Sequence, residues 1–497
     1  MPHSIPDTKP NSKVDYDVII VGAGLSGIGA AYHLKQQCPG KSFHILENRD
    51  AIGGTWDIFR YPGVRSDSDM FTLGYEFKPW LGDKVLADGP AIKDYVRATA
   101  DDNDITRHIS FGQQVLSANW SSIEKCWSLT VNNNATGEKQ ELSCSLMLMC
   151  SGYYSYSKTY EPEFKNIEGY QGQVIHPQFW PEDLDYNNKK IVVIGSGATA
   201  VTLIPVLAET AASVTMLQRS PTYMANRPQE DSLAKLFRKL LPTQAAYNLT
   251  RWKNAMLQRA TYVATRIMPS VVKAVFIKGV RKELGPDYDV DTHFTPKYNP
   301  WDQRLCAVPD NDIFKSIAAG KADVVTDEIE CFTASGIRTK SGTELEADIV
   351  ITATGLQLAV NGEVDFSKDG KAVDFAETWS YKGLMFSGVP NLVNTFGYIN
   401  ASWTLRADMI ANFTCRLLNE MDRSESTEVI PELRSSDSDM QARLWIEDFP
   451  AGYMQRSMHL FPKQGDREPW LNTQNYSREK KTIGKGALND GVLQFST

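Results

Sequence analysis

Gly22, Gly24 and Gly27 stand in the spacing G-x-G-x-x-G, and Glu47 follows 20 residues after the last of them. Each glycine has a separate task in holding a dinucleotide. The first permits a tight turn, the second lets the backbone approach a pyrophosphate, and the third lets a helix lie close against a strand. An acid at that distance suits a free ribose diol. A second set, Gly195-Ser196-Gly197-Ala198-Thr199-Ala200, carries alanine, an accepted variant, at the third position. It is followed by Gln218-Arg219-Ser220 instead of an acid, and a guanidinium beside a hydroxyl suits a 2′-phosphate. These residues assign FAD to the first unit and NADPH to the second.

Such residues work only if secondary structure delivers them. Asp15 to Gly27 is a β-branched apolar run ending in the glycine turn, and Ile28 to Gln36 has helical composition. The apolar run Ser42 to Leu46 brings in Glu47; Ile191 to Ile194 and Val214 to Leu217 do the same for the second unit. The expected fold is α/β, with two Rossmann-like dinucleotide-binding domains. The pattern divides the chain into a tail (1–13), a first part of the FAD domain (14–155), a linker (156–189), an NADP domain (190–340) and a second FAD part with the C-terminal region (341–497). Ala347 to Gly355 reads as a strand and small-residue turn returning the chain to the first unit. Asn400 or Ser402 is placed to cap a helix from about Trp403 to Glu420, whose N-terminus would face charge developing at the flavin N1 and C2 carbonyl.

A helical insertion is expected at about 228–290, within the NADP unit. Residues 232–282 contain eleven basic side chains and no acid, Leu233, Phe237, Leu240 and Leu241 recur at helical spacing, and Pro242 and Pro269 divide the stretch into at least three helices. A solvated basic face balanced by acids elsewhere is one reading. A basic face resting on anionic membranes, where apolar ketones partition, is the other.

Composition limits the rest. The 497 residues carry 60 acidic and 52 basic side chains, a net charge of -8 that argues against a nucleic-acid partner. No apolar run is long enough to span a membrane, and residues 1–13 lack the apolar core of a secretory signal, so a cytoplasmic location is the expectation. The seven cysteines lack zinc or C-x-x-C spacing and read as reduced thiols without a metal, with Cys144 and Cys150 on one face of a strand.

Tyr170, Gly172, His176, Trp180 and Pro181 fall in the spacing F-x-G-x-x-x-H-x-x-x-W-P, with Tyr170 in place of Phe, and Gly54-Thr55-Trp56 runs through Tyr61-Pro62-Gly63 to Asp67. Both stretches resemble signatures of the type I Baeyer–Villiger flavin monooxygenases. Segments 53–80, 299–309 and 462–476 are most similar to the mycobacterial ethionamide-activating branch. The resemblance implies an NADPH- and oxygen-dependent enzyme that inserts oxygen beside a ketone carbonyl through a C4a-peroxyflavin, giving an ester or lactone, with sulfides and thioamides as further substrates. It assigns catalysis to Arg304 and its carboxylate partner Asp67. It assigns FAD contacts to Ser26, Glu47, Thr55, Trp56, Asp67 and Val115, and NADPH contacts to Arg65, Ser66, Thr199, Arg219 and Ser220. His176, Trp180 and Pro181 would shape the linker and cofactor positioning, not handle substrate. Gln303 departs from the lysine that many relatives carry, leaving Arg219 with most of the discrimination for NADPH. A nitrogen- or sulfur-oxygenating flavin monooxygenase and a non-catalytic nucleotide sensor are the alternatives.

Overall fold

A computed structural model describes residues 14–303, 305–447 and 451–497. The tail 1–13 and Arg304 therefore lie outside the described residues. The first glycine turn sits between strand β1 (Tyr16–Val21) and helix α1 (Leu25–Gln37), and β2 (Phe43–Leu46) follows, parallel to β1. Val18, Ile19 and Ile20 are fully buried, so both faces of β1 are covered, as its unbroken apolar run requires. Short helices α2 (Thr55–Ile58) and α3 (Met70–Leu73), then α4 (Gly89–Asp102), lead to β3 (Ile109–Ser110). An antiparallel meander, β4 (Gln113–Ser121), β5 (Cys126–Asn133) and β6 (Lys139–Met149), joins β1 through β6. Strand Leu392–Asn394, far along the chain, adds to β6 in parallel.

Helices pack on one face of this sheet and the meander closes over the other. Cys144 and Cys150 belong to these two different cores, correcting the single-face expectation. Cys144 packs with Met147 and Met149, whereas Cys150 packs with Leu146 and Leu148. The alternation breaks at Ser145, whose carbonyl accepts the Asn391 side-chain amide at 2.8 Å. All seven thiols are buried and unbridged, and burial pushes Cys150 up to about 12.

After β7 (Tyr154–Thr159), the segment read as a linker contributes a strand of its own, β8 (Gln173–Ile175). With β9 (Lys190–Ile194), β10 (Ser213–Gln218) and strands Ala322–Thr326 and Ile349–Thr352 it forms the second, all-parallel sheet. That sheet thus begins before residue 190 and runs beyond 340. Ile349–Thr352 is entirely buried between β8 and β9, so it completes this sheet before the chain returns. The return strand Leu356–Leu358 pairs with β7, making the two crossings between sheets a two-stranded ribbon. Helix α5 (Ala198–Leu207) follows the second glycine turn.

The insertion consists of α6 (Ser232–Leu240), α7 (Thr243–Ile267) and α8 (Pro269–Leu284), divided at Pro242 and Pro269 as expected. It leans on the first unit. Arg251 of α7 is buried and its Nη1 donates to the carbonyls of Phe71, Thr72 and Gly74 at 2.9, 3.1 and 2.6 Å, closing the C-terminal end of α3. Asn254 and Gln258, one and two turns on, donate to the buried Asp69 carboxylate. No helix among the described residues is long and apolar enough to cross a membrane.

Candidate active site

The first glycine turn is built for close backbone approach. Gly22 has φ +106°, and a Cβ there would lie 2.6 Å from the Cys150 carbonyl oxygen; one on Gly27 would lie 1.9 Å from that of Gly22. Both distances exclude a side chain, so α1 starts against the sheet with its first amides aimed outward. They open on a cleft of about 830 Å³ lined by Gly22, Gly24, Ser26, Glu47, Gly54, Thr55 and Trp56, with Val115 of β4 further along.

Glu47 is 4% exposed. Its Oε2 accepts the Ala23 N–H at 2.6 Å and its Oε1 the Arg49 N–H at 2.8 Å. Burial raises its pKa and these two amides oppose the rise. Ser26 Oγ accepts the Trp403 indole N–H at 2.8 Å, tying α1 to the start of helix Thr404–Arg423. Neither Asn400 nor Ser402 caps that helix. The Asn400 amide donates to the Gln474 carbonyl, Ser402 Oγ pairs with Thr72 Oγ1, and no side chain bonds the first turn. Asn400, Ala401 and Trp403 line the cleft, so the helix N-terminus is turned towards it.

The opposite wall comes from the second unit. Ala198 and Thr199 at the start of α5 line the same cleft with Arg65, Ser66 and Asp67. Arg65 Nη1 donates to Asp312 Oδ2 at 2.6 Å, while its Nη2 is buried with no hydrogen-bond partner. Gly195 repeats the close approach of Gly22, a Cβ there lying 2.4 Å from the Ala353 carbonyl oxygen, and a Cβ on Gly197 would meet open space. Ala200 is fully buried beneath the turn. Ser196 Oγ donates to the Ser220 carbonyl at 3.1 Å, which holds the turn against the loop after β10. Arg219, Ser220 and Gln303 are exposed and do not line the cleft.

The fingerprint joins the two crossings. A Cβ on Gly172 would lie 2.3 Å from Tyr170 Oη, so only glycine lets that ring cross, and its hydroxyl donates to the Ala347 carbonyl at 2.8 Å. His176 Nδ1 accepts the Gln178 N–H at 3.2 Å and its Nε2 lies 3.4 Å from the Gly355 carbonyl oxygen. Burial, the largest influence, lowers its pKa, and the two contacts fit one neutral tautomer with its proton on Nε2. Trp180 is half-buried against the core of the second sheet and Pro181 is exposed. None of the three lines the cleft.

Sequence reasoning missed an aromatic wall. Tyr153, Tyr154, Tyr156, Phe59 and Trp403 line the cleft, Tyr153 stacks on Trp403 at 5.2 Å, and Tyr154 Oη donates to Thr55 Oγ1 at 2.6 Å. The tyrosine-rich run directly after β6 was the available signal.

A family model described as flavin-binding monooxygenase-like matches residues 85–362, and an NAD(P)-binding Rossmann-like domain matches residues 20–78. The FAD-containing monooxygenase EthA of Mycobacterium tuberculosis is 51% identical over 481 residues, 97% of both chains. EthA of Mycolicibacterium smegmatis is 50% identical over 482 residues, again 97% of both. The chain belongs to the flavin-binding monooxygenase-like family. Solved members of this fold include a steroid monooxygenase bound to NADP (TM-score 0.74, 19% identity, 97% of this chain and 99% of that one). A complex of OTEMO with FAD and NADP scores 0.75 at 19% identity, covering 98% and 100%.

Proposed function

We propose that the protein is an FAD- and NADPH-dependent monooxygenase of the Baeyer–Villiger type, acting with dioxygen on small ketones to give esters or lactones, and also on sulfides or thioamides. The observation that carries this is the single cleft shared by the start of α1 and the start of α5. One dinucleotide laid on each turn would bring their reactive ends together. The residues fit both groups. A buried carboxylate and backbone-only approach receive the first, and the unpartnered Nη2 of Arg65 awaits an anion on the side of the second.

When bound, FAD reduced by NADPH supplies the activation of dioxygen. The chain's own residues bind and orient. Glu47 would accept the ribose hydroxyls of FAD, Ser26, Thr55, Trp56 and the Val115 backbone would hold the rest of FAD, and Arg65, Ser66 and Thr199 would hold the NADPH pyrophosphate. Arg219 and Ser220 would hold the 2′-phosphate. The N-terminus of helix Thr404–Arg423, which no side chain caps, would favour negative charge on a flavin bound in the cleft. Arg304 supplies a fixed cation and Asp67 orients it, as the family resemblance implies. Gly172, His176, Trp180 and Pro181 hold the crossings, whose flexing would let the two units, one built on each sheet, move relative to each other and so place a bound nicotinamide differently at different stages of turnover. Peripheral contact of segment 232–282 with a membrane, the reservoir of apolar ketones, belongs to the same reading.

The test is NADPH oxidation by the yellow protein with a linear ketone, product ester being quantified. Ester formation dependent on Asp67 and Arg304 supports the reading. Oxygenation of amines or sulfides with no ester would assign the nitrogen- and sulfur-oxygenating alternative, and bound FAD with no NADPH consumption would assign a sensor.

A further inference from the structure

Segment 232–282 does not present a free basic face. Seven of its eleven cations are engaged within the chain. Lys235 pairs with Glu230, Lys253 with Asp231, Arg266 with Asp302 and Arg281 with Asp291, while Arg238, Arg251 and Lys273 donate to carbonyls. What it presents is apolar. Of the nineteen large apolar side chains exposed among the described residues, twelve lie between Leu233 and Val275, too many in one segment for scattered surface chance.

Their spacing is ordered. On α7, Leu249, Trp252, Val263 and Ile267 fall on one stripe at 100° per residue, opposite the buried Tyr247, Arg251, Asn254 and Thr265. On α8, Val271 and Val275 share a stripe with Lys278 and Lys282, opposite the buried Val280. The stripes meet at the Ile267-Met268-Pro269 turn, where Ile267 is 72% and Val271 59% exposed. An apolar tip is thus skirted by exposed lysines, and Leu257, Thr261 and Phe276 on the same two helices line the cleft.

We propose that the α7–α8 tip docks on an anionic lipid surface, sinking Ile267, Met268 and Val271 to the acyl boundary with Lys278 and Lys282 at the headgroups. This rests on the peripheral contact included in the proposed function and replaces its basic face by an apolar tip. Charge selects lipid over a second copy of the chain. With no acid between residues 232 and 282, a symmetric pairing through this tip would set lysine against lysine, whereas anionic headgroups complement them. Apolar substrate leaving the bilayer would then meet the wall of the cleft directly.

Co-sedimentation of the holoenzyme with vesicles of phosphatidylcholine alone, or mixed with phosphatidylglycerol, tests this. Wild type should bind the mixed vesicles. Ile267→Ser with Val271→Ser should weaken binding on the order of a hundredfold, and Lys278→Gln with Lys282→Gln by about thirtyfold, while NADPH oxidation with a water-soluble ketone stays at the wild-type rate. Failure of wild type to bind mixed vesicles, or full binding by the tip variant, overturns the proposal. So does a concentration-dependent dimer in light scattering that the tip variant abolishes without any vesicle binding, which would assign the face to a second copy. Loss of ketone turnover in wild type would overturn the monooxygenase reading and leave the vesicle result standing by itself.

Discussion

Replacing Arg251 by Met keeps the length of the stem and removes every polar contact its head makes. Three carbonyls at the end of α3 lose their shared donor, and Asp408, whose carboxylate lies 3.6 Å from the guanidinium, loses a buried cation. Removing one partner of a buried ion pair costs about 3–5 kcal/mol, and among the described residues the Asp408 carboxylate would keep only the Glu76 N–H at 3.4 Å and His33 Nε2 at 3.5 Å. The account therefore predicts a loss of about that size in denaturant unfolding followed by tryptophan fluorescence, with FAD held at one saturating concentration so that ligand binding does not alter the comparison. Arg251→Lys should fall between, since a point charge cannot serve three carbonyls as a fork does. Asp408→Asn in the Arg251→Met background should restore about 1–2 kcal/mol by removing the stranded charge. If Arg251→Met is as stable as wild type, or if Asp408→Asn brings no relief, the buried charge pair is not what pins α7 to the first unit.

Gly27→Ala should weaken FAD retention more than about tenfold, since a Cβ 1.9 Å from the Gly22 oxygen forces the turn open; flavin absorbance per protein after gel filtration measures it. Arg219→Ala should raise the KM for NADPH about tenfold or more and leave that for NADH unchanged. His44 is buried, its Nε2 is 2.8 Å from Ser110 Oγ, and burial, with His108 adding to it, lowers its pKa to about 4. The unfolded chain therefore takes up a proton below about pH 6.5 that the folded protein refuses. The stability this group contributes is complete above that pH and is lost as pH falls towards 4, amounting to about 2 kcal/mol between pH 7 and 5. His176, His108 and His293, also lowered by burial, add to the slope, so unfolding at both pH values should show a fall in stability larger in wild type than in His44→Asn by about that amount.

The glycine turns and the prolines that divide the insertion were legible because each acts through its own backbone: a Cβ that cannot fit, an N–H that is missing. The two-sheet frame followed, since short apolar runs before such turns have few other uses. What was hidden depends on partners distant in sequence. Nothing local shows that Arg251 would close a helix 177 residues earlier at Gly74, or that β8 in the crossing segment would pair with Ile349–Thr352. Nor does a count of cations reveal that seven of eleven are engaged within the chain, or that apolar stripes run beside the exposed lysines on the outer face of the insertion. The failed cap at Asn400 and Ser402 has the same origin, both side chains being drawn to Gln474 and Thr72. Asp67 and the two walls of the cleft were placed by motif, and the aromatic wall was passed over because its tyrosines follow a strand instead of a glycine turn.

Turnover under isotopically labelled dioxygen decides whether the cleft carries out ketone oxygenation. The purified yellow protein is mixed with NADPH and a linear ketone, and the product is weighed by mass spectrometry. The expected product is an ester carrying one labelled oxygen for each NADPH oxidised, the second atom leaving as water. NADPH consumed with all the label in hydrogen peroxide and no oxygenated ketone, under conditions where FAD is fully bound, would contradict it.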